Sequence, residues 1–415
     1  MREMKDSGIA WIGVIPQDWE IVRTKSLYCS AKEIVGDRAD DFERLALTLN
    51  GVIKRSKEDS VGLQPEKFSG YQILKKGELV FKLIDLENVA TSRVGLSPYT
   101  GIVSPAYIVL SKQSRAKDLV VRYSMYHFLS MWQREIFNQM GDNGVRSSLN
   151  TKELLNIPHP FPSIYEQKRI VTFLDAQCAE IDAVLEKTRA SIEEYKKLKQ
   201  AVITQAVTKG IRGDRPMKDS GIEWIGDIPA EWRKTQLRHC AAIKSGITLG
   251  KKYEKTDSLV ERPYLRVANV QDGYVDLSVL TTIEVTQDED LKYRLRAGDV
   301  LMTEGGDRDK LGRGCVWHGE IEPCLHQNHI FAVQTSKDTL LPEFLEYLTV
   351  SDVGRSYFDV TAIKTTNLAC TSSSKVLAFT IPLPSVEEQA EIVEALNTKC
   401  AGIDALVAKK QQYLT

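Results

Sequence analysis

"MKDSGIAWIGVIPQDW" occupies Met4–Trp19, and 213 residues later "MKDSGIEWIGDIPAEW" occupies Met217–Trp232, identical at twelve of sixteen positions. A second pair follows at nearly the same interval. "PSIYEQKRIVTFLDAQCAEIDAV" (Pro162–Val184) matches "PSVEEQAEIVEALNTKCAGIDAL" (Pro384–Leu406) at twelve of twenty-three positions, 222 residues apart. Between these anchors the halves diverge, although "LKKGELVF" (Leu74–Phe81) resembles "LRAGDVLM" (Leu295–Met302) at an offset of 221, which puts most of the second half's extra length between Lys234 and Arg294. Two different segments recurring in one order point to a duplicated unit with like frames and unlike contents.

The rear frame segments have helical spacing. From Glu166 to about Val207, apolar residues recur at Ile170, Leu174, Cys178, Ile181, Leu185, Ile192, Tyr195, Leu198 and Val202, in mostly three- and four-residue steps with Lys and Glu on the outer faces. Ser163 with Glu166 forms a capping-box signature, and Ser385 with Glu388 repeats it ahead of Ile392, Leu396, Cys400, Ile403 and Leu406. A helix of this length, roughly 60 Å at about 1.5 Å per residue, outgrows one small domain and needs a partner for its seam. An antiparallel pair of unequal helices, forming a coiled coil, is the expectation.

The contents of each half read as mixed α/β. "YQILKKGELVFKLI" and "GIVSPAYIVLS" in the first, and "ERPYLRVANVQDGYVDL", "AGDVLMTEG" and "HIFAVQT" in the second, are strand-like runs bounded by Gly, Pro, Asn and Asp. A helix-like run follows each set, "LVVRYSMYHFLSMWQREIFNQM" and "PEFLEYLTVSDVGRSYF". The first residues are charged and no apolar run reaches the roughly 18 to 20 residues that cross a bilayer, so a cytoplasmic protein is expected. Seven cysteines without a C-x-x-C pair suit reduced thiols.

Motifs that carry chemistry are missing: there is no G-x-x-x-x-G-K-S/T, no H-E-x-x-H, no G-x-S-x-G and no N-P-P-F/Y. "GGDRDKLGRG" (Gly305–Gly314) has its lysine misplaced for a phosphate cradle and reads as a surface or DNA-contacting loop. Cys315, His318, Cys324, His326 and His329 fall close together but match no structural-zinc spacing, and no metal site is expected.

The frames carry a resemblance. "MKDSGIEWIGDIPAEW" ahead of a variable stretch and "IPLPSVEEQAEIVEAL" behind it, written twice over the whole chain, resemble the specificity subunit of a type I restriction-modification system. The resemblance implies an α+β protein: two target-recognition domains of mixed α/β structure related by internal duplication, separated by two long helices in an antiparallel coiled coil. The expected segments are 1–161 for the first recognition domain with its leading frame, 162–212 for the central helix, 213–383 for the second domain with the repeated frame, and 384–415 for the last helix. The resemblance implies a subunit that catalyses nothing and binds no cofactor. It would direct two methyltransferase subunits, which hold S-adenosylmethionine, to adenines in a split sequence of double-stranded DNA. Restriction subunits using ATP and Mg would add cleavage. One departure is that the second helix ends some twenty residues sooner than the first. The competing reading is a non-enzymatic two-domain scaffold joined by a coiled coil.

Charge separates the halves. Residues 21–160 hold 20 Lys and Arg against 15 Asp and Glu, a net of plus five, whereas 234–381 hold 18 against 20, a net of minus two, within a chain of net charge −1. Weak, salt-sensitive DNA binding by the isolated chain is therefore expected. Candidate DNA contacts are Lys54, Arg55, Lys57, Lys75, Lys76, Arg93, Arg146 and Ser147 in the first half, and Lys244, Lys251, Lys252, Arg266, Asn269, Arg308, Lys310 and Arg313 in the second. Arginine can grip guanine and asparagine adenine in a bidentate manner, although phosphate contacts use the same side chains. "VRSSL" (Val145–Leu149), after "GDNG", is the most favoured loop, with a helix-capping turn as its other reading. Candidate partner-binding residues are Ile170, Leu174, Ile181, Leu185 and Ile192 on the first helix and Ile392, Leu396 and Ile403 on the second.

Overall fold

The computed structural model describes residues 2–59, 67–84, 86, 93–140, 148–254, 257–306, 311–312, 314–364 and 369–414. The chain forms two compact units, Met1–Ala183 and Val184–Thr415, so the division falls inside the central helix, Ile164–Lys209, rather than at its ends. Among the described residues no helix is long and apolar enough to cross a membrane.

The first unit opens on a hairpin, Met4–Asp6 against Val14–Pro16, with Lys5 opposite Ile15. Its turn needs left-handed backbone at Gly8 (φ +70°) and Gly13 (φ +73°), a conformation that costs any residue with a Cβ. The repeated copy folds the same way: Met217–Asp219 pairs with Asp227–Pro229, and Gly221 and Gly226 sit at φ +70° and +66°. That is why both glycines recur in the frame.

Each globule is closed by its own first and last strands. Glu20–Arg23 pairs antiparallel with Pro158–Phe161 (Glu20 opposite Phe161), and Arg233–Gln236 pairs with Thr380–Leu383 (Arg233 opposite Leu383). The variable contents are thus inserted between two strands of the frame. In the first unit they form two four-stranded sheets, one ordered Gly51–Arg55, Arg44–Thr48, Gly101–Val103, Gln72–Leu74, the other Tyr28–Cys29, Ile108–Lys112, Leu79–Phe81, Val94–Leu96. Phe81, Phe128, Phe137 and Leu154 lie in its main core and are fully enclosed. The second unit has a four-stranded sheet, Ala241–Ser245, Ile330–Thr335, Val300–Thr303, Gly314–Val316, beside a three-stranded one, Thr281–Thr286, Leu259–Leu265, Leu325–His326.

Both helix-like runs of the contents are broken. The first becomes Val121–Gln133 and Ile136–Met140, separated at Glu135, which adopts φ +56°. The second becomes Pro342–Val350 and Asp352–Thr361, because extended Ser351 stops one helix and caps the next through its hydroxyl, which accepts from Gly354 N.

In the second unit the last turns of the central helix run antiparallel to the helix Val386–Gln411. Lys199 Nζ lies 2.7 Å from Asp404, Arg212 lies 2.8 Å from Glu391, and Lys410 stands 5.7 Å over the Tyr195 ring. Ile203, Ala206 and Val207 share a buried cluster with Ile392, Leu396 and Cys400. The expected seam is unevenly covered: Ile192, Ile392 and Leu396 are buried, Ile170, Leu174, Leu185 and Ile403 half-buried, and Ile181 and Leu198 exposed at 58% and 49%. Heptad-like spacing identifies the seam, but only packing decides how far along the helix it is covered.

Candidate nucleic-acid interface

Lys54, Lys75 and Lys76 of the first unit gather at one end of the four-stranded sheet whose outer strands are Gly51–Arg55 and Gln72–Leu74. The hairpin Arg44–Thr48/Gly51–Arg55 ends on Lys54 and Arg55, with Lys57 just beyond. Lys54 stands 5.2 Å over the Tyr99 ring and 2.6 Å from Glu43. The adjacent Thr100 hydroxyl accepts from the backbone N–H of Lys76, which brings the Lys75–Lys76 turn to the same end of the sheet. Lys75 pairs with Glu33 at 2.9 Å, Arg55 with Asp59 at 2.7 Å, and Lys57 donates to Ala39 O at 2.7 Å. Hydrogen bonds donated to Glu43 and Glu33 hold the Lys54 and Lys75 ammonium groups above their ordinary range, so both stay charged. Solvent screens exposed pairs of this kind so strongly that a phosphate can displace the carboxylate. Lys76 is exposed and has no carboxylate partner among the described residues.

In the second unit the expected residues are dispersed. Lys251 pairs with Glu289, whose other oxygen accepts from Tyr253 OH at 2.8 Å. Lys252 is exposed, and Arg266 is half-buried. Burial, then Arg296, pulls Lys244 below the usual lysine range, while Asp299 opposes them. Lys244 and Asp299 lie on or beside the two strands that flank Ile330–Thr335 in one sheet, where Asp299 also accepts from Gln334 Nε2 at 2.9 Å.

Two expected contacts point inward and need correction as groups open to a base. Asn269, 4% exposed, spends its amide on backbone: Oδ1 accepts from Arg266 N at 2.8 Å, and Nδ2 donates to Asp276 O at 2.7 Å and Val279 O at 2.9 Å. Arg93, 1% exposed, donates from Nη2 to Leu86 O at 2.7 Å and holds a loop stem. Arg146, Ser147, Arg308, Lys310 and Arg313 lie outside the described residues.

The stems of those loops are described, and they are built alike. In the first unit Ile84, just past the strand Leu79–Phe81, bridges Ser148, and Leu149 N donates to Leu83 O at 2.9 Å. In the second, just past Val300–Thr303, Gly305 and Gly306 pair with Cys370 and Ala369, and Thr371 N donates to Glu304 O at 2.8 Å. Leu83 and Glu304 are 221 residues apart, the offset of the Leu74–Phe81 match, and Leu149 and Thr371 are 222 apart, the offset of the rear frame. The same hydrogen bond therefore joins the same two loop stems in each unit. "VRSSL" and "GGDRDKLGRG" each contribute to one such junction. Asn150, immediately after the first, caps the helix Thr151–Asn156 with a capping box, so the turn also caps a helix.

Sequence reasoning missed this junction because no local signal ties strands separated by so much chain. It also missed Tyr99 and Arg44, which stands 5.5 Å over Phe68. The Cys and His residues spaced near 315–329 do not converge: Cys315, Cys324 and His326 are buried, His329 Nδ1 lies 2.6 Å from Glu304, and among the described residues no three His, Cys, Asp or Glu side chains form a metal cluster.

Comparison with known proteins gives one consistent result. The model of the type I restriction modification DNA specificity domain matches residues 16–194. A putative type I restriction enzyme MjaX specificity subunit from Methanocaldococcus jannaschii is 27% identical over 175 residues, 42% of this chain and 40% of that protein. The MjaVIII specificity subunit of the same organism is 24% identical over 410 residues, 96% of this chain and 89% of that protein. The EcoKI specificity subunit of Escherichia coli K12 is 26% identical over 264 residues, 61% of this chain and 52% of that protein. The match thus spans nearly all of one relative and about half or less of the other two. A chain solved in work on assembly and conformational transition of the type I R-M system shares the fold, with a TM-score of 0.65, 17% identity, and coverage of 96% of this chain and 94% of that one.

Proposed function

Because this chain belongs to the specificity subunits of type I restriction-modification systems, we propose that each of its units reads one half of a bipartite, asymmetric DNA target. The junction that joins two loop stems at the same place in both units carries the reading. One scaffold presents two unlike pairs of loops, as two different half-sites require. The basic sheet end formed by Lys54, Lys75 and Lys76 grips phosphate and orients the first unit, while base edges are read from the loops above the stems.

The chain itself catalyses nothing in this proposal. The central and last helices form an antiparallel coiled coil that sets the unread spacer and docks two methyltransferase subunits. Along them Ile192, Ile392 and Leu396 are buried within the chain and close the seam, while Ile170, Leu174, Ile181, Leu185 and Ile403 keep the exposure that a docking face needs. Half-sites about one or two helical turns apart, at roughly 34–36 Å per turn, lie within reach of such a ruler. S-adenosylmethionine belongs to the methyltransferase and supplies the methyl group for adenine. ATP and Mg belong to restriction subunits that add cleavage when they join, and the complex works in the cytoplasm.

Closure of each globule by frame strands supports interchange of the contents between Glu20 and Phe161. Long-read mapping of methylated adenine in cells with and without the gene tests the function: a split motif present only with the gene is expected, and unchanged methylation refutes it. Exchange of residues 21–160 for another subunit's domain should alter one half of the motif and leave the other.

A further inference from the structure

Both frame helices are rooted by the same two side chains. At the start of the central helix, Glu166 Oε2 accepts from Trp19 Nε1 at 2.9 Å and from Arg2 at 2.8 Å, while Arg2 also holds Asp18 through two 2.8 Å contacts. At the start of the last helix, Glu388 Oε2 accepts from Trp232 Nε1 at 2.9 Å. Its Oε1 lies 2.5 Å from Arg215, which reaches Glu231 at 3.0 Å and stands 5.1 Å over the Trp232 ring. Each glutamate thus ties its helix to the hairpin repeated at the head of the unit.

The next residue faces the other way. Gln167 donates to Pro162 O at 2.8 Å and Asp118 O at 3.0 Å, and accepts from Val120 N at 2.9 Å. Gln389 donates to Pro384 O at 3.1 Å and Thr339 O at 2.8 Å, and accepts from Leu341 N at 2.8 Å. Val120 and Leu341 are the N-caps of Val121–Gln133 and Pro342–Val350, so each glutamine fastens the helix to its globule. The roles are not exchangeable. The glutamine must donate twice and accept once, which a carboxylate cannot do, whereas the glutamate collects donors from two side chains. Both glutamines are fully buried.

We propose that the adjacent pairs Glu166–Gln167 and Glu388–Gln389 are positioning residues that set the angle of each recognition globule on its helix, and with it the spacer at which both half-sites are engaged. A single hydrogen bond would act as a hinge. Bonds from two successive residues to two separate elements remove that rotation. The proposal rests on the DNA-reading function above.

The test uses the full chain assembled with its methyltransferase and DNA carrying the mapped motif with its native spacer, one base pair shorter, or one longer. For Glu388→Gln, kcat/KM on the native spacer is expected to fall about tenfold with little change in KM, because misplacing bound groups costs rate more than binding. The altered spacers should lose less, so that preference for the native spacer collapses. Simple destabilisation removes active complex equally for every spacer, so uniform loss, or no change, overturns the positioning role. If Glu388→Gln does not fold, Glu166→Gln carries the same test, its carboxylate being 22% exposed. Failure of the wild-type complex to methylate any split target overturns the proposed function instead.

Discussion

Replacing His127 with Phe should make the first unit less sensitive to acid over a range in which the native chain loosens. The ring of His127 lies 4.5 Å from that of His159, 5.3 Å from Phe128 and 5.9 Å from Trp11. Its Nε2 is shut away from solvent with no hydrogen-bond partner among the described residues, so a proton there would be a buried, unpaired charge. Burial lowers His127 from 6.5 to about 4, against a smaller opposing contribution from the Pro158 backbone. Burial and the neighbouring His127 push His159 well below the usual range.

The unfolded chain takes up a proton near pH 6.5, which the native ring refuses until about pH 4. Stability from the neutral ring is therefore complete above pH 6.5 and drains away as the pH falls towards 4. The full shift corresponds to about 3 kcal/mol, of which about 2 kcal/mol, or about thirtyfold in the opening equilibrium, is lost by about pH 5. His159 adds in the same direction. Phenylalanine keeps the aromatic packing and removes the titration; the stranded Pro158 carbonyl costs about 1 kcal/mol at every pH. Hydrogen–deuterium exchange in Val121–Gln133, corrected for intrinsic rates, reports this unit without assuming one transition for the chain. A gap between wild type and variant that does not change from pH 7.5 to 5, or a native His127 titrating near 6.5, refutes the reasoning.

Asn269→Ala should destabilise the second unit by about 2–4 kcal/mol by stranding three backbone groups, yet leave the methylation motif unchanged; a changed motif would make Asn269 a base reader. Glu346 is raised to about 7, chiefly by burial, so its native proton favours folding below about pH 4.5 and that advantage is lost as the pH rises through 7. Glu346→Gln should accordingly gain up to about 3 kcal/mol relative to wild type at pH 8 and little at pH 4.5, read by denaturant titration at both values. Leu396→Ala, beside Val207 and Ile392 in the core, should cost about 2–5 kcal/mol, and a loss below about 1 kcal/mol would deny the helix contact its packing role. Replacing Lys54 or Lys76 with Ala should reduce the salt slope of DNA binding, followed by fluorescence anisotropy, by about 0.9 each; an unchanged slope removes that lysine from the phosphate contacts.

Much of the frame was legible because its signals are local. Three- and four-residue apolar steps and a Ser–Glu capping signature placed a helix from Glu166 to about Val207, against the observed Ile164–Lys209. The glycines of the opening repeat announced turns that need φ above zero. The contents were legible as strands and helices but not as a site. Nothing in the local sequence around Asn269 distinguishes an amide bonded to its own backbone from one facing a base, and Arg93 reads like any exposed arginine until its burial is known. The break at Glu135 carries no glycine or proline to mark it.

Composition and periodicity depend on near neighbours along the chain, and they determined that this protein has two like frames, unlike contents and a long amphipathic helix. Contacts between distant residues belonged to the tertiary structure alone. Glu166 is a capping residue by sequence, yet folding brings it to Trp19 and Arg2, 147 and 164 residues away, and folding joins Leu83 to Leu149 as it joins Glu304 to Thr371. Those bonds close long loops, and the entropy of closing them is offset by burial throughout each globule rather than by any signal at the two ends.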